Sequence, residues 1–130
     1  METWTEIIVK REDLDELNHV NNKEYVGYLE EARGDWYVQS GFSFEMMRKH
    51  DLGTVVVNLT ITFLKEAVYG ERLKVKTVPV RLGNTSFDLK QEIFNQADEK
   101  ITEAMVTSVM FDRTERKSVP VVKEIACQFN

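Results

Sequence analysis

The sequence contains few of the residues on which several classes of functional site depend. It has one cysteine, Cys127, and two histidines, His19 and His50, in 130 residues. One cysteine cannot form an intrachain disulfide, and two histidines cannot complete a three-histidine metal site. There is no glycine-rich phosphate loop, which disfavours a nucleotide-dependent transferase or a Rossmann oxidoreductase. The G-x-S-x-G and H-E-x-x-H motifs are also missing, so we expect no metal and no cofactor.

Excess positive charge and long apolar runs are also missing. The formal net charge is -5, whereas binding to nucleic-acid phosphates needs a dominant basic face. No run approaches the ~18–20 apolar residues of a membrane span, and the first residues do not resemble a signal peptide. We therefore expect a cytoplasmic protein that neither binds nucleic acid nor spans a membrane. The length favours one domain over residues 1–130.

One long segment has the periodicity of a buried helix. Apolar side chains recur at spacings of three and four residues, at Tyr25, Leu29, Ala32 and Trp36. Others widen this stripe, at Val26, Tyr28 and Tyr37. A helix that is apolar around so much of its girth is largely buried. Asn21 suits an N-cap and Gly41 a C-terminal stop, so we predict a helix over residues 22–40 and a short second one over 43–50.

The remaining segments alternate with a period of two, which indicates strands. A first strand is predicted over residues 3–11, before the helix. Four consecutive antiparallel strands are predicted after it, over residues 54–63, 72–82, 87–93 and 101–111. A buried helix beside such strands implies an α+β fold with the five-stranded sheet curled around the helix. Its edge strands need protection, so we expect an oligomer.

The stretch DLDELNHVNN, at residues 13–22, is the only local concentration of reactive groups. Asp15 can act as a general base or a nucleophile, and His19 can carry a proton near neutral pH. The N–H groups around residues 21–23 stand at the start of the predicted helix, where they suit a carbonyl oxygen that becomes negative. The plain alternative is a polar turn that caps the helix.

This stretch resembles the hotdog-fold acyl-CoA thioesterases, a family that includes 4-hydroxybenzoyl-CoA thioesterase. The matching features span most of the chain: D-x-D at 13–15, H-V-N-N at 19–22, Tyr25, E-E-A-R at 30–33, G-N-T-S at 83–86 and F-D at 111–112. The resemblance implies a hotdog fold, in which a five-stranded antiparallel sheet wraps a long central helix. It also implies hydrolysis of a thioester.

The stretch is also similar to the plant-type acyl-carrier-protein thioesterases, whose segment reads D-L-D-x-N-x-H-V-N-N-x-x-Y. Asp15 and His19 match their aspartate and histidine, while Leu17 stands at their asparagine position. Glu66 lies near the position of an acidic residue in those enzymes. In the 4-hydroxybenzoyl-CoA type a glycine stands where this chain has Asn18, and asparagine tolerates a positive φ better than most residues.

The resemblance implies roles for several residues. Asp15 acts on the carbonyl directly or through water, the backbone N–H near Asn22 forms the oxyanion hole, and His19 and Tyr25 complete the site. Glu31 is a second candidate acid, although ion pairs of Glu30 and Glu31 with Arg33, or a place on a dimer surface, are the favoured alternative. No cofactor is implied beyond the coenzyme A thioester, which is the substrate.

The resemblance also implies an active site between subunits of a homodimer or homotetramer. Four residues of a hairpin turn could meet the pantetheine or phosphate groups of the substrate: Arg81, Asn84, Thr85 and Ser86. A basic set could meet the 3′-phosphate: Arg113, Arg116 and Lys117. The expected acyl-pocket lining is Tyr25, Leu29, Val55, Val57 and Leu59. The plain alternatives are a solvated turn for the polar residues and ordinary core for the apolar ones.

The substrate is either an acyl-CoA or an acyl-carrier-protein thioester. A hotdog hydratase is disfavoured, because the glycine- and proline-bearing motif of those enzymes is missing. A non-catalytic acyl-binding hotdog protein is the alternative outside the enzymes.

Overall fold

The computed structural model describes residues 1–129, which form one long helix, two short helices and a curled antiparallel sheet. The elements are β1 (Thr3–Ile8), α1 (Asn22–Ser40), α2 (Phe44–Lys49), β2 (Leu52–Phe63), β3 (Arg72–Leu82), β4 (Ser86–Phe94), β5 (Lys100–Asp112), β6 (Lys117–Ser118) and α3 (Lys123–Ala126). A 3-10 helix, Arg11–Asp13, lies between β1 and α1. The predicted α+β class is confirmed. No helix within residues 1–129 is both long and apolar enough to cross a membrane.

Helix α1 begins and ends where the sequence predicts. The side chain of Asn21 caps it by accepting from the amide of Lys23 at 3.2 Å. Gly41 ends it with a φ of 94°, a conformation that costs glycine little. The predicted apolar stripe is buried, but Val26 is 41% exposed, so its assignment to the stripe is wrong.

The strands pair in the order β1-β3-β4-β5-β2, and β6 adds to β5. Strand β2 pairs with β5, not with β3, so the prediction of four consecutively paired strands is wrong for β2. Period-two alternation identifies a strand but not its partner. In the sheet β4 and β5 lie between β2 and β3, and the segment 64–71 is long enough to connect them across that distance. The two-residue β6 is a sixth strand that its length hides from pattern analysis. Strands β1 and β2 are the edges.

Strand β2 does not keep one apolar face. Its register against β5 shifts between Val56 and Asn58, which is a β-bulge. One extra residue inverts the alternation of side chains beyond it. Leu59 therefore packs on the core, while Val55 and Val57 are 44% and 58% exposed. The predicted grouping of Val55 and Val57 with Leu59 is wrong.

The core has two clusters of buried apolar side chains, with a buried arginine between them along α1. Arg33 is 6% exposed, and its Nη1 donates to Gln91 Oε1 at 3.0 Å. Gln91 Nε2 in turn donates to the carbonyl oxygen of Leu29 and to Thr77 Oγ1. Burial lowers the pKa of the Arg33 guanidinium. Within residues 1–129 no ion pair joins Arg33 to a neighbouring glutamate of α1, which corrects that alternative.

Replacing Gln91 with Leu is expected to destabilise the fold, because the buried Arg33 guanidinium loses its side-chain acceptor. The free energy of unfolding should fall by roughly 3 kcal/mol, measured by urea denaturation at one protein concentration. Lys90→Leu, at an exposed position of the same strand, should change it by less than about 0.5 kcal/mol. Equal losses in the two variants would contradict a special contribution from this buried contact.

Candidate active site

The chain between β1 and α1 folds back on itself as a tight loop. Leu14 and Val20 pair across it in an isolated bridge, and the amide of Asp15 donates to the carbonyl of His19 at 2.8 Å. Asn18 closes the turn with a φ of 63°, and its amide donates to the carbonyl of Asp15 at 3.1 Å. The prediction that an asparagine supports a positive φ at this position is confirmed.

The carboxylate of Asp15 is held by the loop itself. Its Oδ1 accepts from the amide of Leu17 at 2.9 Å and from the amide of His19 at 3.2 Å. Two donors on one oxygen fix the orientation of the carboxylate. Its Oδ2 has no hydrogen-bond partner among residues 1–129, which leaves that oxygen as an acceptor for water or substrate.

His19 contacts a second loop, at residues 64–71. Its Nε2 lies 2.8 Å from Oε2 of Glu66, and its backbone pairs with Val68. The next residue, Val20, donates its amide to the carbonyl of Ala67 at 3.0 Å. The His19 and Glu66 side chains are 39% and 57% exposed, so their contact contributes little to stability and chiefly orients the imidazole ring.

The N-terminus of α1 lies beside these groups. The amide of Asn21 donates to the carbonyl of Asp13 at 2.9 Å, while the amides of Lys23 and Glu24 donate to the Asn21 cap. The amide of Asn22 has no protein partner within the described part of the chain. It is therefore able to donate to an anion at the positive end of the helix dipole.

Tyr25 forms one wall next to the helix N-terminus. Its ring packs edge-on against Phe63 at a centroid distance of 5.2 Å, and its hydroxyl accepts from the amide of Ala67 at 3.2 Å. Burial raises the pKa of Tyr25, and the nearby carboxylates of Glu71 and Glu66 raise it further. The hydroxyl therefore stays protonated at neutral pH.

These groups surround one cavity of about 290 Å³, which brings together four predicted site residues: Asp15, His19, Asn22 and Tyr25. Glu66 lines it as well, together with Phe63 and Lys65, which were not predicted. Those two residues lie far along the chain from the loop, and no local pattern connects them to it. A carboxylate, an imidazole and a helix-terminal amide around one cavity are the groups that acyl transfer to water needs. Within residues 1–129 no group of three or more His, Cys, Asp or Glu side chains could hold a metal ion.

The predicted hairpin residues do not join this cavity in one chain. Asn84 and Thr85 lie in the turn between β3 and β4, Arg81 lies near the end of β3, and Ser86 begins β4. Strand β3 spans roughly 30 Å from the segment 64–71 to this turn. Arg81 donates through Nε to Asp88 Oδ2 at 2.8 Å, and this contact lowers the pKa of Asp88. The carbonyl of Thr85 accepts from the amide of Met110 in β5 at 2.8 Å, and the carbonyl of Asn84 accepts from the amide of Val121 at 3.0 Å. These two bonds anchor the turn.

The predicted basic set lies at the same end of the sheet as the hairpin, at Arg113, Arg116 and Lys117. The guanidinium of Arg116 stacks over Phe111 at 5.3 Å. Arg113 and Arg116 line a cavity of about 590 Å³ that Val55 and Val57 also line. Within one chain these two valines therefore lie away from the Asp15 cavity, and their place in the acyl pocket stays a prediction. The other predicted lining residues do share one core cluster: Tyr25, Leu29 and Leu59.

Glu31, the second candidate acid, does not line the Asp15 cavity. It borders a separate cavity of about 440 Å³ that Asp13 and Tyr28 also line. A role for Glu31 in the chemistry at Asp15 of the same chain therefore has no geometric support.

Comparison with known proteins agrees with the class that this sheet and cavity indicate. Residues 9–129 match the model of the Thioesterase-like superfamily, so the chain belongs to that family. The predicted class of enzyme, a thioester hydrolase, is thereby confirmed, and so is the predicted resemblance to the hotdog thioesterases.

Individual relatives can be named within this family. The long-chain acyl-CoA thioesterase FadM of Escherichia coli is 32% identical over 122 residues, which cover 93% of this chain and 92% of that protein. The acyl-CoA thioester hydrolase YbgC of Escherichia coli is 26% identical over 118 residues. This matched region covers 91% of this chain and 88% of YbgC. The DHNA-CoA thioesterase of Staphylococcus aureus superimposes with a TM-score of 0.87 at 26% identity, over 92% of this chain and 80% of that one.

Asn18→Val is expected to destabilise the loop, because a β-branched residue is strained at a positive φ. The free energy of unfolding should fall by about 1–2 kcal/mol, whereas Asn18→Gly should retain or slightly raise it. Glu16→Val introduces the same side chain at an exposed position of this loop where φ is not positive. Urea denaturation in which Glu16→Val loses as much stability as Asn18→Val would contradict this account.

Proposed function

We propose that this chain hydrolyses acyl-CoA thioesters to the free acid and coenzyme A in the cavity beside Asp15. The observation that carries the proposal is the meeting of Asp15, His19 and Asn22 around one cavity in a member of a thioesterase family. Two relatives, FadM and YbgC, carry acyl-CoA in their names, which favours coenzyme A as the thiol.

Asp15 supplies the carboxylate for the first step. Two backbone amides hold its Oδ1, so Oδ2 either accepts a proton from the attacking water or itself attacks the carbonyl carbon. Direct attack gives a mixed anhydride, which water then hydrolyses to the acid. A thioester already carries a good leaving group, so one carboxylate and an oxyanion hole suffice.

Asn22 supplies the oxyanion hole through its backbone amide. As water or Asp15 adds to the carbonyl carbon, negative charge develops on the carbonyl oxygen. An amide at the first turn of the 19-residue helix α1 donates to that oxygen and aligns it with the positive end of the helix dipole. The cap at Asn21 holds the neighbouring amides and leaves that of Asn22 for the substrate.

His19 passes a proton to the leaving thiolate, and the proton lost by the attacking water replaces it on the imidazole. Its Nε2 contacts Glu66, so the carboxylate fixes the orientation of the ring. Water and the thioester are the only reactants, and we propose no further cofactor.

We further propose that the chain is a single hotdog domain with α1 as its central helix, assembled as a homodimer. Eight residues of α1 are buried, and the sheet is curled and antiparallel. Edge strand β2 is 12 residues long and exposes three consecutive valines, Val55, Val56 and Val57. Such an edge is a site for pairing, and β2 of a second copy is its natural partner. Two such dimers would make a tetramer.

Antiparallel pairing of two β2 strands would bring the two ends of the sheet together. The Leu52 end of one strand would lie beside the Phe63 end of the other. Phe63 lines the Asp15 cavity, and Gly53 lies beside Arg113. Arg113 and Arg116 of one subunit would then approach the Asp15 cavity of its partner. The phosphates of coenzyme A would bind there, across the subunit boundary, close to the Arg81 hairpin.

An acyl-carrier-protein thioester is a second candidate substrate. The basic side chains of Arg113, Arg116 and Lys117 favour it, because they are grouped at one end of the sheet and acyl carriers present acidic surfaces. The net charge of -5 is not evidence against such a local patch.

Asp15→Asn is expected to lower kcat at least about 100-fold, because the amide cannot accept a proton or attack. The measurement is thiol release from a panel of acyl-CoA and acyl-carrier-protein thioesters. Asp98→Asn, in the exposed β4–β5 turn, should stay within about twofold of the unchanged protein. His19→Ala in the same assay measures the contribution of the imidazole.

Full activity in Asp15→Asn would rule out the role given to Asp15. Absence of turnover on every thioester by folded, unchanged protein would count against hydrolysis as the function and favour an acyl-binding role. Turnover restricted to carrier-protein thioesters would favour the second candidate.

Replacing both Arg113 and Arg116 with Ala is expected to raise KM for acyl-CoA roughly tenfold with little change in kcat, because the lost contacts hold phosphates remote from the chemistry. The N-acetylcysteamine thioester of the same acyl group has no phosphate, so its KM should not change. Lys76→Ala removes a cation from β3 and is the matched control. An equal rise of KM for both thioesters would contradict phosphate recognition, and a monomer by light scattering would contradict the shared site.

A further inference from the structure

We propose that Asp13 and Tyr28 form a positioning pair that sets the spacing between Asp15 and the Asn22 amide. The proposal rests on the function proposed above and gives a role to two residues outside the Asp15 cavity. The hydroxyl of Tyr28 donates to Asp13 Oδ2 at 2.8 Å. The same carboxylate oxygen accepts from the amide of Lys10 at 3.0 Å.

Asp13 joins the loop to α1 through two different atoms. Its backbone carbonyl accepts from the amide of the cap residue Asn21, and its carboxylate accepts from the side-chain hydroxyl of Tyr28, seven residues further along the chain. A residue held through both its backbone and its side chain cannot move relative to the helix without breaking one of these bonds. The loop is therefore held to the same helix that carries the Asn22 amide.

Asp13 and Asp15 line different cavities. Asp15 lines the cavity of about 290 Å³, whereas Asp13 and Tyr28 line the separate cavity of about 440 Å³. Leu14 lies between the two aspartates and is bridged to Val20. The hydrogen bonds to Asp13 therefore also restrain the position of Asp15, through the short segment bridged at Leu14. Neither Asp13 nor Tyr28 lines the cavity where the reaction is proposed.

The hydroxyl of Tyr28 is suited to a permanent hydrogen bond. Burial raises the pKa of Tyr28 well above its ordinary value, and the adjacent Asp13 carboxylate raises it further. The hydroxyl therefore keeps its proton and continues to donate through the neutral and mildly alkaline range. The ring of Tyr28 packs edge-on against Tyr25 at 5.9 Å, and a phenylalanine would preserve that contact. Tyr28→Phe therefore removes the hydrogen bond with little change in packing.

Small errors in alignment between an attacking group and an oxyanion donor have large effects on rate. A misplacement of about 1 Å can cost on the order of 100-fold. Substrate binding depends on contacts elsewhere in the pocket, so it is much less sensitive to this spacing. The signature of a positioning pair is therefore a loss of kcat with a retained KM in a folded protein.

Tyr28→Phe is expected to lower kcat roughly tenfold while KM stays within about twofold. Asp13→Ala removes both side-chain bonds and should lower kcat further. Asp13→Asn keeps an acceptor for Tyr28 and should recover most of the loss. Tyr37→Phe is the matched control, because Tyr37 is a buried tyrosine of the other core cluster and its hydroxyl should not affect kcat. Each rate is normalised to the folded fraction from thermal denaturation.

An unchanged kcat in Tyr28→Phe would overturn the positioning role, as would an Asp13→Asn variant as impaired as Asp13→Ala. A loss of kcat that vanishes after normalisation would overturn it as well, because it would reflect stability alone. Unchanged protein without turnover on any thioester would overturn the proposed function, and this role with it. Full activity in unchanged protein and in Tyr28→Phe alike would overturn only the role of the pair.

Discussion

Burial of α1 against the sheet determines where the cavity forms, because the helix carries both fully buried core side chains and the N-terminus that borders the cavity. Leu29, Ala32 and Trp36 are fully buried, which holds the axis of α1 over the sheet. With the axis held, the first turn of the helix stands where the loop 13–21 and the segment 64–71 meet. Asp15, His19 and Glu66 come together only because both segments contact this helix end. A helix that packed differently would leave the same residues as ordinary turn and cap groups.

Stability and function share the groups at the start of α1. The amides of a first helical turn need acceptors, and the chain satisfies most of them locally through Asn21 and Asp13. The amide of Asn22 has no protein partner among residues 1–129. The loop similarly uses Oδ1 of Asp15 for its own backbone and leaves Oδ2. Within residues 13–22, some polar atoms therefore bond the backbone of the loop and the helix, while others have no protein partner. This geometry is consistent with the plain alternative of a capping loop and with the catalytic proposal.

Much of the fold could be predicted from local patterns. The bounds of α1 follow from the chemistry of residues close in sequence, and so do Asp15, His19 and the helix-terminal amides as candidate groups. Tyr25 as a site residue and the positive φ at Asn18 followed from the family resemblance. The pairing of β2 with β5 could not be predicted, because alternation is the same whichever neighbour a strand has. The bulge after Val56 was also missed, since one inserted residue leaves no trace in composition, and it moved Val55 and Val57 to another surface. Phe63, Lys65 and the buried contact of Arg33 with Gln91 depend on long-range packing.

The sequence by itself determined the elements, the caps and the identity of the reactive groups, because each depends on interactions within a few residues. The tertiary structure alone decided which of these groups meet. It placed Glu66 beside His19, turned Asp13 towards Tyr28 and separated the Arg81 hairpin from Asp15 by most of the length of a strand. The reason is physical: contacts between distant segments are set by how the buried faces of helix and sheet fit together, and that fit involves the whole chain at once.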